Sequence, residues 1–193
     1  MNPMSARFNT QRLEMFSDAV MAVAITLMVL RIDPPTPGPG QTLGQAFWDD
    51  TRPLILYYLI TFAVIVAFWI HHHDIFSMLP STVTAGALWL NMAFLACICL
   101  LPFGLEFFSA GDPSYLTVGV YAGLMAVATL FLGAFTRATQ GHWMPDTFIG
   151  AGVFLLAVPF AEILGGWALL LWGLDYPITR LLQRWRAPHR PAT

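Results

Sequence analysis

The sequence predicts an all-α integral membrane protein of six transmembrane helices per subunit, and three observations carry that prediction. Of its 193 residues, 57% are hydrophobic and only 10% are charged, against roughly 25% charged in a soluble domain whose surface must face water. Apolar runs recur along the chain between Pro, Gly and polar breaks, and several approach the roughly 20 residues that a helix needs to cross a bilayer core about 30 Å thick. Seven Trp, fifteen Phe and five Tyr supply rings suited to the headgroup boundary, where one edge is wet and the other apolar.

The first span is expected over 12–32, stopped by Asp33-Pro34-Pro35 because proline cannot continue a helix. Arg7 and Arg12 ahead of an apolar stretch resemble the start of a secretory signal. Asp18 interrupts that stretch, however, and Arg31-Ile32-Asp33-Pro34-Pro35 stands where small residues would be needed for cleavage, so the span is expected to be retained. The second span is expected over 54–72, opened by Pro53 and closed by His71-His72-His73-Asp74. The third covers 83–108, with Asn91 inside it and Pro102 near its far end, and the fourth covers 115–136 after Asp112-Pro113. The remaining apolar stretch is too long for one span. Pro159, Glu162 and Gly165-Gly166 divide it into 147–163 and 165–182. Together these make one membrane domain over 1–186, with a short basic tail at 187–193.

Six spans place both termini on one side, and the nine arginines test this. Arg7, Arg12, Arg137, Arg180, Arg184, Arg186 and Arg190 fall on the terminal side, and Arg31 and Arg52 on the other. By the positive-inside rule both termini are expected in the cytoplasm, with the chain in the cell membrane. There is no lysine, and the net charge of −2 offers no clustered cations for nucleic acid. Cys97 and Cys99, two positions apart on a helix, point to different faces, so no disulfide is expected.

An ionisable residue at membrane depth costs free energy, so each one needs a reason. Asp18 lies about one and a half turns into the first span. Arg12 sits about 9 Å away along the axis and about 120° around it, so Asp18 is expected to find its partner on another helix. The alternative is a hydrated carboxylate at the interface. The second span ends on the same side in Phe68-Trp69-Ile70-His71-His72-His73-Asp74. Three adjacent histidines fan out at about 100° steps and cannot share one metal. The expectation there is no metal site, and a hydrogen bond from His72 or His73 to Asp18. Asn91 is expected to bond across to another helix, and Glu106 and Glu162 to lie near the outer interface. No Ser/His/Asp set, phosphate loop or dinucleotide fingerprint is present. No catalytic residue and no cofactor are therefore assigned, and an enzyme is not expected.

Thr117-Val118-Gly119-Val120-Tyr121 resembles the TVGYG filter of potassium channels. That filter follows a pore helix as a short re-entrant strand, whereas these residues supply length that the fourth span needs. They are read as ordinary helix.

Arg12-x-x-x-Phe16-Ser17-Asp18, followed by the apolar run from Ala19 to Leu30, resembles the first-helix signature of the endolysosomal potassium channel family, transmembrane protein 175, and its prokaryotic homologues. Trp69-x-x-His72-His73 resembles the family's second helix, and Leu90-Asn91 through Leu101-Pro102-Phe103 its third. The resemblance covers about the first 110 residues. It implies a potassium-selective or potassium-preferring cation channel without a TVGYG filter, built as a homo-oligomer, a tetramer, with the first helix of each subunit lining a central pore that carries K+. It further implies a hydrophobic constriction at Val23, Leu27 and Leu30, with a hydroxyl layer at Thr26. Val23 stands where members more often carry Ile or Leu, which implies a wider ring or a constriction shifted to Leu27. Arg12, Phe16, Ser17 and Asp18 would join Trp69, His72 and His73 in a network that holds this helix. Positions 16, 20, 23, 27 and 30 step by four and three, a seam along which helices meet around an axis. Other seams on this helix are equally apolar, and simple packing is the plain alternative. A proton-coupled secondary transporter and a non-conducting membrane scaffold are the competing readings.

Overall fold

The structure is a computed structural model that describes residues 6–109, 114–143 and 145–164. A short strand, β1 (Arg7–Asn9), leads directly into α1 (Thr10–Val29). Asn9 caps the helix, its Oδ1 accepting from the Arg12 backbone N–H at 2.9 Å, which satisfies one of the N–H groups that a helix start leaves open.

After the proline-rich connection, α2 (Leu43–Ala46) starts with a reciprocal cap between Thr42 and Gln45. It runs through a π-helical turn over Phe47–Thr51 into α3 (Arg52–Ser77). The apolar helix is thus continuous from Leu43 to Ser77, 35 residues, where the sequence bounds the span at 54–72. Pro53 does not open it: the first turn of α3 tolerates a missing N–H, and the wider π turn before it makes room for the ring.

A second strand, β2 (Thr82–Thr84), precedes α4 (Ala85–Ser109), which carries Pro102 without ending there. β2 pairs antiparallel with β1 in the register Arg7↔Thr84, Phe8↔Val83 and Asn9↔Thr82. The pairing is extended by Thr10, whose backbone N–H donates to the Ser81 carbonyl at 3.0 Å and whose hydroxyl donates to the Pro80 carbonyl at 2.5 Å. The all-α expectation misses this clip: three residues are too few to show a period of two, and neither strand is stable without the other.

α5 (Tyr115–Gln140) begins at a Ser114–Thr117 capping box and ends at Gly141, which takes φ +83° and returns its N–H to the Arg137 carbonyl at 2.9 Å. A left-handed residue in this place favours glycine. The 117–121 stretch lies in the first turns of α5 and is helix, not a filter. α6 (Pro145–Leu156) is followed by a 3-10 turn over Val158–Phe160 and a last turn, α7 (Ala161–Leu164). The break falls at Pro159, inside the expected 147–163 span. The expected span 165–182 and the tail 187–193 lie outside the described residues.

Among the described residues three helices are long and apolar enough to cross a membrane: Leu43–Ser77, Ala85–Phe108 and Tyr115–Gln140. Their packing is close, as it must be where lipid tails are as apolar as the side chains and cohesion comes from fit and hydrogen bonds. A Cβ on Gly104 of α4 would lie 2.7 Å from the Tyr121 ring of α5, and one on Gly133 of α5 would collide with Thr147 of α6. The fully buried Tyr121 donates its hydroxyl to Thr61 Oγ1 of α3 at 2.6 Å. Phe76 of α3 stacks on Phe135 of α5 at 5.3 Å. The last two contacts set α3 and α5 parallel. Cys97 is buried, Cys99 exposed, and both are free.

Candidate functional site: the first helix and its polar anchor

α1 is 20 residues long, about 30 Å, and is less apolar than the three helices above because Arg12, Glu14 and Asp18 lie in its first half. Its buried residues are Thr10, Leu13, Ser17, Met21, Ala24 and Met28. They step by three and four and form one stripe. That stripe packs on α4 and α3. Phe16, Val23 (55%), Leu27 (47%) and Leu30 (72%) are exposed on the rest of the helix, as is Thr26. Val20 is partly buried against the core. The Thr26 hydroxyl donates to the Val23 carbonyl at 2.9 Å. Its hydrogen is therefore used within the helix, and oxygen lone pairs are left to accept or coordinate.

The first half of α1 is held by polar contacts. Trp69 Nε1 of α3 donates to Asp18 Oδ1 at 2.9 Å. Ser17 Oγ donates back to the Leu13 carbonyl at 2.8 Å and accepts from Asn91 Nδ2 of α4 at 2.8 Å. Asn91 Oδ1 in turn lies 3.0 Å from His72 Nε2 of α3. Because an amide oxygen can only accept, His72 carries its proton on Nε2. Its ring is stacked between Phe76, at 4.3 Å, and Phe94, at 5.7 Å. The result is one chain of side chains across three helices, Leu13 carbonyl–Ser17–Asn91–His72, in which Ser17, Asn91 and His72 are each fully buried. One turn toward the start of α1, His73 Nδ1 lies 3.4 Å from Glu14 Oε1 and its ring stacks on Trp69 at 5.8 Å.

The structure thus brings together Ser17, Asp18, Trp69, His72 and His73. The expected hydrogen bond from a histidine to Asp18 is not made: Asp18 is met by Trp69, and His72 turns to Asn91, because the buried stripe carries Ser17 toward α4 while Asp18 lies beside it toward α3. Arg12 enters through its backbone N–H, and its side chain is exposed, as is the Phe16 ring. Asn91 holds the centre of the network, a place that the sequence signals only as an asparagine inside an apolar run. At the far end of α1, Arg31 pairs with Glu106 of α4 at 2.9 Å. Among the described residues no group of His, Cys, Asp and Glu could hold a metal ion.

Residues 12–102, which contain α3 and most of α1 and α4, match the family described as endosomal/lysosomal potassium channel TMEM175. The chain is 30% identical over 178 residues to a potassium channel of Streptomyces collinus, an alignment that covers 87% of this chain and 79% of that one. It is 35% identical over 131 residues to a potassium channel of Chamaesiphon minutus, covering 63% of this chain but only 62% of the relative's length. Among solved structures, the lysosomal potassium-selective channel TMEM175 homologue from Chamaesiphon minutus superposes with a TM-score of 0.69 at 26% identity, over 88% of this chain and 96% of that one.

Proposed function

The chain belongs to the TMEM175 channel family, and from that premise we propose that it is a potassium channel whose pore is lined by α1. The observation that carries this reading is the division of α1 into two apolar faces, of which the protein's own core takes only one. A helix anchored on one side by Ser17, Asn91 and Trp69 and bare along Val23, Leu27 and Leu30 is suited to meeting copies of itself around an axis. The pore is assigned to a homo-oligomer, a tetramer, in the cell membrane with both termini in the cytoplasm. The arginine distribution supports that orientation.

In such a pore Val23, Leu27 and Leu30 form rings of apolar side chains. A narrow apolar throat holds no stable water and so opposes an ion that must keep its hydration shell. Closure is dewetting, and opening is widening of the rings. Potassium sheds water at lower cost than sodium, and the Thr26 oxygens, with their hydrogens committed to the backbone, can replace part of the lost shell. K+ is the cargo of this reaction and not a resident cofactor.

The test is ion flux into liposomes that hold the purified protein, driven by a potassium gradient, with sodium as the paired ion. Rapid potassium uptake that exceeds sodium uptake is expected. Absence of flux of either ion from a folded oligomer, or flux that saturates with substrate and follows a proton gradient, would remove the reading.

A further inference from the structure

We propose that Arg137, Trp143 and Phe148 form a docking site for the headgroup of an anionic phospholipid, in the leaflet next to the start of α1. Arg137 lies in the last turn of the apolar helix α5, and its guanidinium Cζ sits 5.6 Å from the centre of the Trp143 ring. The left-handed turn at Gly141 folds the chain back so that Trp143 reaches under the arginine one turn before it. Phe148 of α6 packs against the same indole, with ring centroids 5.3 Å apart. All three are exposed, Trp143 by 38% and Phe148 by 56%.

Depth selects the ligand. Tyr115 at the far end of α5 is also exposed, and the 22 positions from there to Arg137 span about 33 Å of helix, close to the thickness of a bilayer core. Arg137 is therefore at headgroup level. The Phe76–Phe135 stack ties this end of α5 to the end of α3 that carries His73 and its partner Glu14, so it shares a membrane face with the start of α1. A planar guanidinium presents paired donors in the geometry of a phosphate, and an indole behind it holds the plane in place. Phe148, exposed beside that indole, offers apolar surface to the acyl chain of the same lipid. A headgroup with net negative charge is favoured over a zwitterionic one because the cation's attraction is not cancelled by a second charge on the lipid.

The experiment is native mass spectrometry of the full chain in nonionic detergent, titrated with phosphatidylglycerol or phosphatidylcholine. The first phosphatidylglycerol bound per subunit is expected to exceed phosphatidylcholine in affinity, and Arg137→Gln to weaken it about tenfold, the loss of one charge-assisted contact. Arg137→Lys, which keeps the charge and the fold but not the planar stack, is expected to fall between the two. Arg7→Gln, an exposed arginine on the same membrane face, is expected to leave binding unchanged. Equal binding of both lipids, wild-type affinity in Arg137→Gln or in Arg137→Lys, or an equal loss in Arg7→Gln would each overturn the proposal.

Discussion

Trp69 Nε1 donates to Asp18 Oδ1 across 2.9 Å, tying the first half of α1 to α3 through one neutral donor and one carboxylate. An acid inside an apolar helix is tolerable when a directed donor meets it. Removing the donor is expected to cost more than altering the acceptor. Trp69→Phe and Asp18→Ala should each lower stability by about 1.5–3 kcal/mol. Asp18→Asn, whose amide oxygen still accepts, should lower it less. Thermal unfolding in detergent, read by loss of the folded peak on a sizing column, ranks the three.

Asn91 bridges Ser17 and His72 with both ends of its amide, so the three side chains should behave as a unit. Ser17→Ala and Asn91→Ala, made singly and together, are expected to be non-additive by about 1 kcal/mol. Strict additivity in a denaturation series would show that the buried chain of hydrogen bonds carries no joint contribution.

The two faces of α1 should respond in opposite ways to the same truncation. Leu13→Ala, on the buried stripe, is expected to destabilise by about 2–5 kcal/mol through the cavity it leaves. Leu27→Ala, on the exposed face, should leave stability near wild type and change potassium flux in liposomes. Thr26→Val, which removes the outward oxygen at nearly constant shape, should lower the preference for potassium over sodium.

The Thr147 side chain of α6 lies against Gly133 and leaves no room for a Cβ there. Gly133→Ala is expected to push α6 away and cost about 1–3 kcal/mol. Pairing it with Thr147→Gly, which clears the space, should recover most of the loss in the same unfolding assay.

The clip between β1 and β2 starts α1 from a fixed point on the α3–α4 connection. Thr10→Val keeps the volume but removes the hydroxyl that donates to the Pro80 carbonyl. It should cost about 1 kcal/mol and raise hydrogen exchange at Phe8 and Val83 before any change appears in the rest of the fold.

What the sequence by itself determined is local. Composition set the solvent, and the prolines at 34 and 35 set where α1 must have ended, because hydropathy and backbone restriction act over a few residues. The position of Asp18 marked a contact to another helix, since an acid in an apolar run requires a partner whatever the fold. Tertiary structure alone decided who that partner is. Trp69, His72 and His73 are neighbours in sequence, and only the rotation of α3 against α1 sends Trp69 to Asp18, His73 to Glu14 and His72 away to Asn91. It also decided which face of α1 is buried. In water a polar face would have announced the answer, but lipid and protein core are equally apolar, so a helix apolar all round carries no record of which side meets which until its neighbours are in place.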